Sequence, residues 1–132
     1  MDARAVVVRE ADVPLERWAD PVKGEVGFRP LVGTSEATAE LTAGVLELAP
    51  GRELGVHRHP PAEVYFVLAG TGSLAAGGET QRLEPGTSVW IPGGLEHGVR
   101  STGDSPLRVF YVFAVDSDDD VDYDFAPSGW GS

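Results

Sequence analysis

Residues 51–70 read GRELGVHRHPPAEVYFVLAG, and residues 86–101 read GTSVWIPGGLEHGVRS. These two stretches contain all three histidines of the chain, His57, His59 and His97, together with Glu63. Imidazole nitrogens and carboxylate oxygens are common ligands of first-row transition metals. The two stretches therefore predict a site for one divalent metal ion, with three nitrogen ligands and one oxygen ligand.

The spacing of these four residues suits β-strands. Alternate residues of a strand point to the same face, so His57 and His59 can reach one ion together. The prolines at 60–61 donate no backbone hydrogen bond and interrupt the strand. Glu63 then opens the next strand and can supply a third ligand. His97 begins a strand in the second stretch, and we expect it to supply the fourth ligand from across a barrel.

The strand that follows Glu63 has two faces of different character. If it continues regularly, Tyr65 lies on the inner face with the glutamate, while Val64, Phe66 and Leu68 face outward. A soluble chain rarely leaves such an apolar row uncovered. The sequence therefore predicts a homodimer that covers this face.

The two stretches resemble the paired motifs of the cupin superfamily, and nine of ten fixed positions carry the residue typical of the family. The exception is Ser101, which stands where the family usually has asparagine. The resemblance implies an all-β fold, a single-domain cupin jelly-roll β-barrel over residues 38–115. We expect an N-terminal arm at 1–37, containing a strand and a short helical turn, and an acidic C-terminal extension at 116–132. The ten positions are Gly51, His57, His59, Glu63, Gly70, Gly86, Pro92, Gly94, His97 and Ser101.

Composition agrees with one turn-rich domain. The chain has 132 residues, which is the usual size of one domain, and 17 glycines and 10 prolines punctuate its short apolar runs. Gly77 and Gly78 fit a two-residue hairpin turn with positive φ. A helical turn is expected over residues 12–18. Strands are predicted near residues 5–9, 38–49, 54–59, 63–68, 72–76, 79–84, 87–91, 96–101 and 106–115.

Charge and residue usage exclude several classes of function. The chain has no cysteine, so disulfides, thiolate ligands and thiol nucleophiles are absent. A formal charge of −11 disfavours binding to nucleic acid and to anionic membranes. The sequence contains neither a membrane-spanning apolar run nor a signal-like N-terminus. We expect a cytoplasmic protein with a small-molecule substrate and no nucleic-acid or membrane partner.

Further residues resemble the small cupin lyases that cleave dimethylsulfoniopropionate. They are LAPG at 48–51, HRHPPAEVY at 57–65, FYVFAVD at 110–116 and VDY at 121–123. The resemblance implies that Tyr65 is a general base and that Tyr123 lies near the substrate. Trp90 and Phe28 are candidate substrate-binding residues, because aromatic faces attract a sulfonium cation. The alternative for these two rings is packing alone.

The reaction and the metal stay open at this point. An ion with these ligands keeps positions for substrate or dioxygen, and Fe, Mn, Ni, Zn, Co and Cu all suit the ligand set. A metal-dependent lyase would eliminate a β-leaving group from a small carboxylate-bearing molecule. An Fe(II)-dependent dioxygenase would use the same ligands and consume oxygen. A non-catalytic binding protein would hold a small molecule without turnover.

Overall fold

A computed structural model describes residues 4–126 of the chain. Within this part the secondary structure is eleven antiparallel strands in one curled sheet, with two short 3-10 helices at Glu10–Asp12 and Asp118–Asp120. Neither helix has the length or apolar content to cross a bilayer. The predicted all-β jelly-roll fold is confirmed. The strands in chain order are β1 (Glu16–Asp20), β2 (Gly24–Val32), β3 (Thr42–Leu48), β4 (Glu53–Arg58), β5 (Glu63–Ala69), β6 (Gly72–Ala76), β7 (Glu79–Leu83), β8 (Ser88–Ile91), β9 (His97–Ser101), β10 (Leu107–Phe113) and β11 (Asp124–Phe125).

The sheet has the strand order β7-β6-β9-β4-β2-β3-β10-β5-β8, with β1 added to β2 and β11 added to β4. Burial alternates along β5 and β10, so every second side chain enters the space that the sheet encloses. That space contains an apolar core to which most strands contribute. The same alternation turns the predicted ligands inward.

The hairpin between β6 and β7 confirms the turn predicted from two adjacent glycines. Gly77 and Gly78 have φ values of 57° and 84°. Two successive positive φ angles match the type I′ turn, whose twist suits the flanking strands. The predicted strands from residue 38 onward all occur, with bounds that differ by a few residues.

The N-terminal predictions were partly wrong. Residues 5–9 form no strand, and the helical turn expected over 12–18 is a 3-10 helix at Glu10–Asp12 followed by strand β1. The sequence analysis also missed β2, although β2 lies between β3 and β4 in the sheet. Its glycines and its proline are turn-forming residues by local criteria. In the fold, the Leu15 side chain occupies the space where Gly27 would carry a Cβ, and Pro30 lies beside a register shift.

Segments on both sides of the predicted barrel therefore contribute strands to the sheet. Strands β1 and β2 come from the first 37 residues, and β11 comes from the C-terminal extension. The division of the chain at residues 38 and 115 stays a prediction. So does the homodimer, but the outward row exists: Val64, Phe66 and Leu68 are each 41–43% exposed.

Candidate metal centre

Strand ends bring the four predicted ligands together. His57 lies in β4 directly opposite His97 in β9, and Glu63 opens β5. His59 follows β4 immediately, and its carbonyl accepts a hydrogen bond of 2.9 Å from the backbone N–H of Gly94. The turn before β9 is thereby tied to the segment that carries His59. All four side chains are buried, with 0–4% of their surface exposed.

Backbone carbonyls orient all three imidazoles. Nδ1 of His57, His59 and His97 lies 2.7, 2.9 and 2.8 Å from the carbonyl oxygens of residues 55, 61 and 95. A carbonyl can only accept, so each Nδ1 carries the proton and donates it. Each Nε2 then has a free lone pair, which is the arrangement found when histidine binds a metal.

The free Nε2 atoms converge with the glutamate. Glu63 Oε1 lies 3.2 Å from Nε2 of His59 and 3.3 Å from Nε2 of His97, and ligand nitrogens of the three histidines lie within 4.8 Å of one another. His97 Nε2 is nevertheless buried without a hydrogen-bond partner. Buried polar groups are nearly always paired. An acceptor lone pair in this position fits a divalent cation, so the residues present suit the predicted metal.

The pKa shifts of His57 and Glu63 favour the protonation states that bind a metal ion. Burial lowers the pKa of His57 to about 3, and neighbouring His97 adds to this effect, so His57 is neutral at physiological pH. Burial raises the pKa of Glu63, but the hydrogen bond with His59 and the nearness of the His59 and His97 rings outweigh it, so the net pKa is lowered. For His59, burial is outweighed by the bond to Glu63, so its pKa is raised. The neutral imidazole of His57 and the carboxylate of Glu63 are both forms that bind a cation, and a bound cation would displace the extra proton that Glu63 favours on His59.

All three tyrosines of the chain lie around this group. Tyr65 and Tyr111 are opposite one another on β5 and β10, and the ring of Tyr123 lies 5.5 Å from that of His57. All three line a cavity of about 10 Å³ next to Glu63, which we call the inner cavity. Burial raises the pKa of each phenol, and the charge of Glu63 raises it further. In this environment the phenols are neutral donors at physiological pH.

The C-terminal segment closes the barrel over the site. Residues 116–126, which we call the strap, include β11, which pairs with β4 beside His57. Val121, Tyr123 and Phe125 of the strap pack against the buried core. On the outer side, Arg58 Nε donates to Asp124 Oδ2 at 3.1 Å. The strap therefore covers the ligands and brings Tyr123 to them.

The two predicted substrate-binding residues, Phe28 and Trp90, lie on different sides of the sheet. Phe28 on β2 lines the inner cavity with His57 and Tyr65, so its proposed role stays possible. Trp90 on β8 is 70% exposed and lies opposite Val64, on the outward face of the sheet. The barrel wall separates it from the histidines. The structure thus places Trp90 on the outward face of β8, because Val89 and Ile91 take the inward positions of that strand.

Three aromatic residues near the site were not assigned to it from the sequence. Tyr111 could have been found, because β10 was predicted and its buried positions alternate with period two. Trp18 lies on β1, a strand that the sequence analysis did not predict. Phe125 lies 5.1 Å from the His57 ring, on a strand of only two residues that no periodicity reveals.

Ser101, which stands where the family usually has asparagine, has an unpaired side chain. Its hydroxyl is buried without a hydrogen-bond partner, while its backbone pairs with Gly51 and Arg52. A longer amide side chain would have reached further. Ser101 thus ends β9, the strand that His97 begins, and its backbone ties that strand to residues 51–52.

Comparisons with known proteins agree with this geometry. A family described as Cupin domain matches residues 44–113. The chain is 38% identical over 118 residues to dimethylsulfoniopropionate lyase DddW of Ruegeria pomeroyi, covering 89% of this chain and 77% of that protein. It is 30% identical over 96 residues to 5-nitrosalicylic acid 1,2-dioxygenase of Bradyrhizobium sp., covering 73% of this chain and 46% of the dioxygenase.

A solved structure shares the architecture. A protein described as a predicted oxalate decarboxylase from Thermotoga maritima superimposes with a TM-score of 0.74 at 27% identity, covering 83% of this chain and 99% of that one. The family match spans β3 to β10 and includes every predicted ligand.

Proposed function

The chain belongs to the cupin family, and we propose that it is a metal-dependent lyase that eliminates a β-leaving group from a small carboxylate-bearing molecule, as dimethylsulfoniopropionate lyases do. The observation that carries the proposal is the position of Tyr65. It lies two residues after Glu63 on the same inward face of β5, sealed from solvent beside the histidines. The identity to a dimethylsulfoniopropionate lyase over most of the chain supports the same reaction.

The four ligands would hold one divalent ion, and this ion would polarise a substrate carboxylate and favour the phenolate form of a nearby tyrosine. In the phenolate form, the Tyr65 oxygen removes the α-hydrogen of the substrate. The electron pair of that C–H bond forms the double bond to the β-carbon, and the leaving group departs with the electrons of its own bond. Tyr65 ends the step protonated and returns its proton to solvent.

The strap has two tasks in this reaction. Its closure excludes water, which strengthens electrostatic interactions around the reacting atoms. It also places the Tyr123 phenol near His57 and His59, at ring distances of 5.5 and 5.6 Å. Tyr123 can donate a hydrogen bond to a bound substrate only when the strap is closed. We therefore assign Tyr65 as the base and Tyr123 as a substrate-positioning phenol.

The experiment uses metal-loaded protein and a panel of small carboxylates that includes dimethylsulfoniopropionate, with and without oxygen. We expect elimination that is independent of oxygen, detected as an unsaturated carboxylate and the released leaving group. Tyr65→Phe should retain its fold and metal content but lose roughly 100- to 10,000-fold in rate. Leu68→Met, on the outward face of the same strand, is the matched control and should retain full activity. Full activity of Tyr65→Phe would refute the role of base.

A second candidate is an Fe(II)-dependent dioxygenase. The 30% identity to a salicylate-type dioxygenase favours it, and the same ligands would serve. The panel separates the two candidates, because a dioxygenase consumes oxygen in proportion to product. Saturable binding without any turnover, with or without oxygen, would instead indicate a binding protein.

We also propose a cytoplasmic homodimer. The exposed row on β5 supports the dimer, since contiguous exposed apolar residues often mark protein interfaces. Cell fractionation tests the location, and the mass in solution tests the assembly.

A further inference from the structure

Lys23, the only lysine of the chain, has no role in the mechanism above. It lies in the turn between β1 and β2, and its side chain is exposed. The ammonium nitrogen lies 5.2 Å from the centre of the Trp18 ring and 5.9 Å from the centre of the Phe125 ring. A cation within about 6 Å of a ring centre is attracted by the π-face. One ammonium group therefore lies over a ring of β1 and a ring of the strap at the same time.

The turn that carries Lys23 is fixed in position. Asp20 Oδ1 accepts hydrogen bonds of 2.7 and 3.0 Å from the backbone N–H groups of Val22 and Lys23. The Lys23 carbonyl accepts a bond of 2.8 Å from the N–H of Gly55 on β4. Gly55 permits this approach, because a Cβ there would collide with the carbonyl oxygen of Val22. The turn is thereby held against β4, the same strand that pairs with β11 of the strap.

The two rings under the ammonium group lead directly to the candidate metal centre. The Trp18 and Phe125 rings lie 5.9 Å apart at an interplanar angle of 78°. Trp18 also lies 5.2 Å from the Tyr123 ring at 87°, and Phe125 lies 5.1 Å from the His57 ring. Edge-to-face pairs at such separations are favourable. Lys23 is thus at the outer end of an aromatic cluster whose inner end contacts a predicted ligand.

Strand β11 is held by a cation on each of its faces. Its two residues, Asp124 and Phe125, point to opposite sides because side chains alternate along a strand. On one side Arg58 forms an ion pair with Asp124. On the other side the Lys23 ammonium lies over Phe125, which packs against the buried core. The Lys23 contact therefore acts on the side of the strap that faces the ligands.

We propose that Lys23 is a positioning residue that keeps the strap closed by acting through Trp18 and Phe125. Its positive charge holds the two rings in place, and the rings hold the strap, with Tyr123, against the ligand cluster. The charge of the side chain is required and not only its bulk, since a neutral chain of the same length lacks the electrostatic attraction to the π-faces. The inference rests on these contacts and is independent of the reaction proposed above.

Amide hydrogen exchange of the strap, followed by NMR, tests the proposal without need of turnover. The N–H of Ala126 donates to the carbonyl of Val56 on β4 at 2.8 Å, so its exchange rate reports opening of the strap. Lys23→Met keeps nearly the length of the side chain and removes its charge. It should accelerate the exchange of Ala126 roughly three- to tenfold, as expected for loss of a cation from two partly exposed rings. Lys23→Arg should exchange at about the wild-type rate, because guanidinium also binds aromatic faces.

Two controls separate a local effect from a general one. Arg82→Met removes one exposed positive charge from β7, at the far end of the sheet, and should leave the exchange of Ala126 unchanged. The N–H of Gly77, in the β6–β7 turn, is the reference amide and should exchange equally in all variants. Unchanged exchange of Ala126 in Lys23→Met would overturn the proposal. Equal acceleration in Lys23→Met and Lys23→Arg, or equal acceleration of Gly77, would also overturn it.

The result is separable from that of the proposed function. Faster strap exchange in Lys23→Met, in a protein that eliminates no compound of the panel, would retain the role of Lys23 and reject the lyase. Elimination by the wild-type protein, with unchanged strap exchange in Lys23→Met, would retain the lyase and reject the role of Lys23.

Discussion

A disulfide between the strap and β4 should lock the site shut. Arg58 and Asp124 lie directly opposite each other in the antiparallel pair β4–β11. Opposite residues in such a pair have Cα atoms about 4.5–5.5 Å apart, which suits a disulfide. Both side chains are exposed, so Arg58→Cys with Asp124→Cys changes nothing in the barrel interior. The chain has no other cysteine, so the new pair is unique.

The native strap is held by the β4–β11 pairing and by several further bonds. Its hydrogen bonds to the rest of the chain include Asp118 N to Gly33 O, Glu40 N to Asp116 Oδ1 and Ala126 N to Val56 O, in addition to the exposed ion pair with Arg58. At about 1 kcal/mol each, these four contacts total roughly 4 kcal/mol. Buried strap side chains add to this value. An open strap is therefore expected in at most about one molecule in a thousand.

We expect metal and substrate to reach the buried site through this small open population, because strap residues line both of the clefts described near the site. The oxidised double variant should release its metal to a chelator at least about tenfold more slowly than the reduced form, with turnover reduced in parallel. Closing a loop of about 65 residues also removes roughly 4 kcal/mol of chain entropy from the unfolded state. Tm should rise by up to about 15 °C.

Metal release and turnover are compared before and after reduction of the same sample, and Arg58→Cys alone is the control for loss of the ion pair. Equal metal release and equal turnover in the oxidised and reduced forms would show that the strap does not gate the site. A raised Tm in that sample would confirm that the disulfide had formed.

Three further predictions concern the metal, pH and assembly. His97→Ala should lower metal content per chain, measured by elemental analysis, while the exposed Gln81→Ala leaves it unchanged; equal content in both would contradict the ligand role. Metal-free protein should lose up to about 2 kcal/mol of stability between pH 7 and pH 5, because the unfolded chain protonates His57 near pH 6.5 whereas folding lowers its pKa to about 3. The raised pKa of His59 offsets part of this loss. Urea unfolding measures the stability, and equal values at pH 7 and pH 5 would refute this pH prediction. Light scattering of the wild-type protein should give about twice the 14.0 kDa chain mass, and the Phe66→Glu variant should give about the mass of one chain. A monomeric wild-type protein would exclude the dimer.

The residues of the candidate metal centre could be predicted from the sequence because their relations are local. His57 and His59 share a face by strand periodicity, and Tyr65 follows Glu63 inward for the same reason. The burial pattern of β5 confirms this alternation residue by residue. The positive φ angles of the β6–β7 turn were also accessible, since two adjacent glycines are a local signal.

The position of Trp90 could not be predicted from local sequence alone. Its aromatic character made it a candidate for binding, but the face of β8 to which it points is decided by the pairing of β8 with β5. Strand β2 was missed for a related reason, because the contact of Gly27 with Leu15 and the register shift beside Pro30 exist only in the assembled sheet.

The sequence by itself determined the fold class, the predicted grouping of three histidines with Glu63, and the inward face of β5, since each depends on spacings of a few residues. Tertiary structure alone decided that the strap returns to β4 and that the rings of Trp18 and Tyr111 both lie against Phe28. Asp124 and Arg58 are 66 positions apart. Contacts over such separations arise from strand pairing throughout the sheet, and no short-range periodicity encodes them.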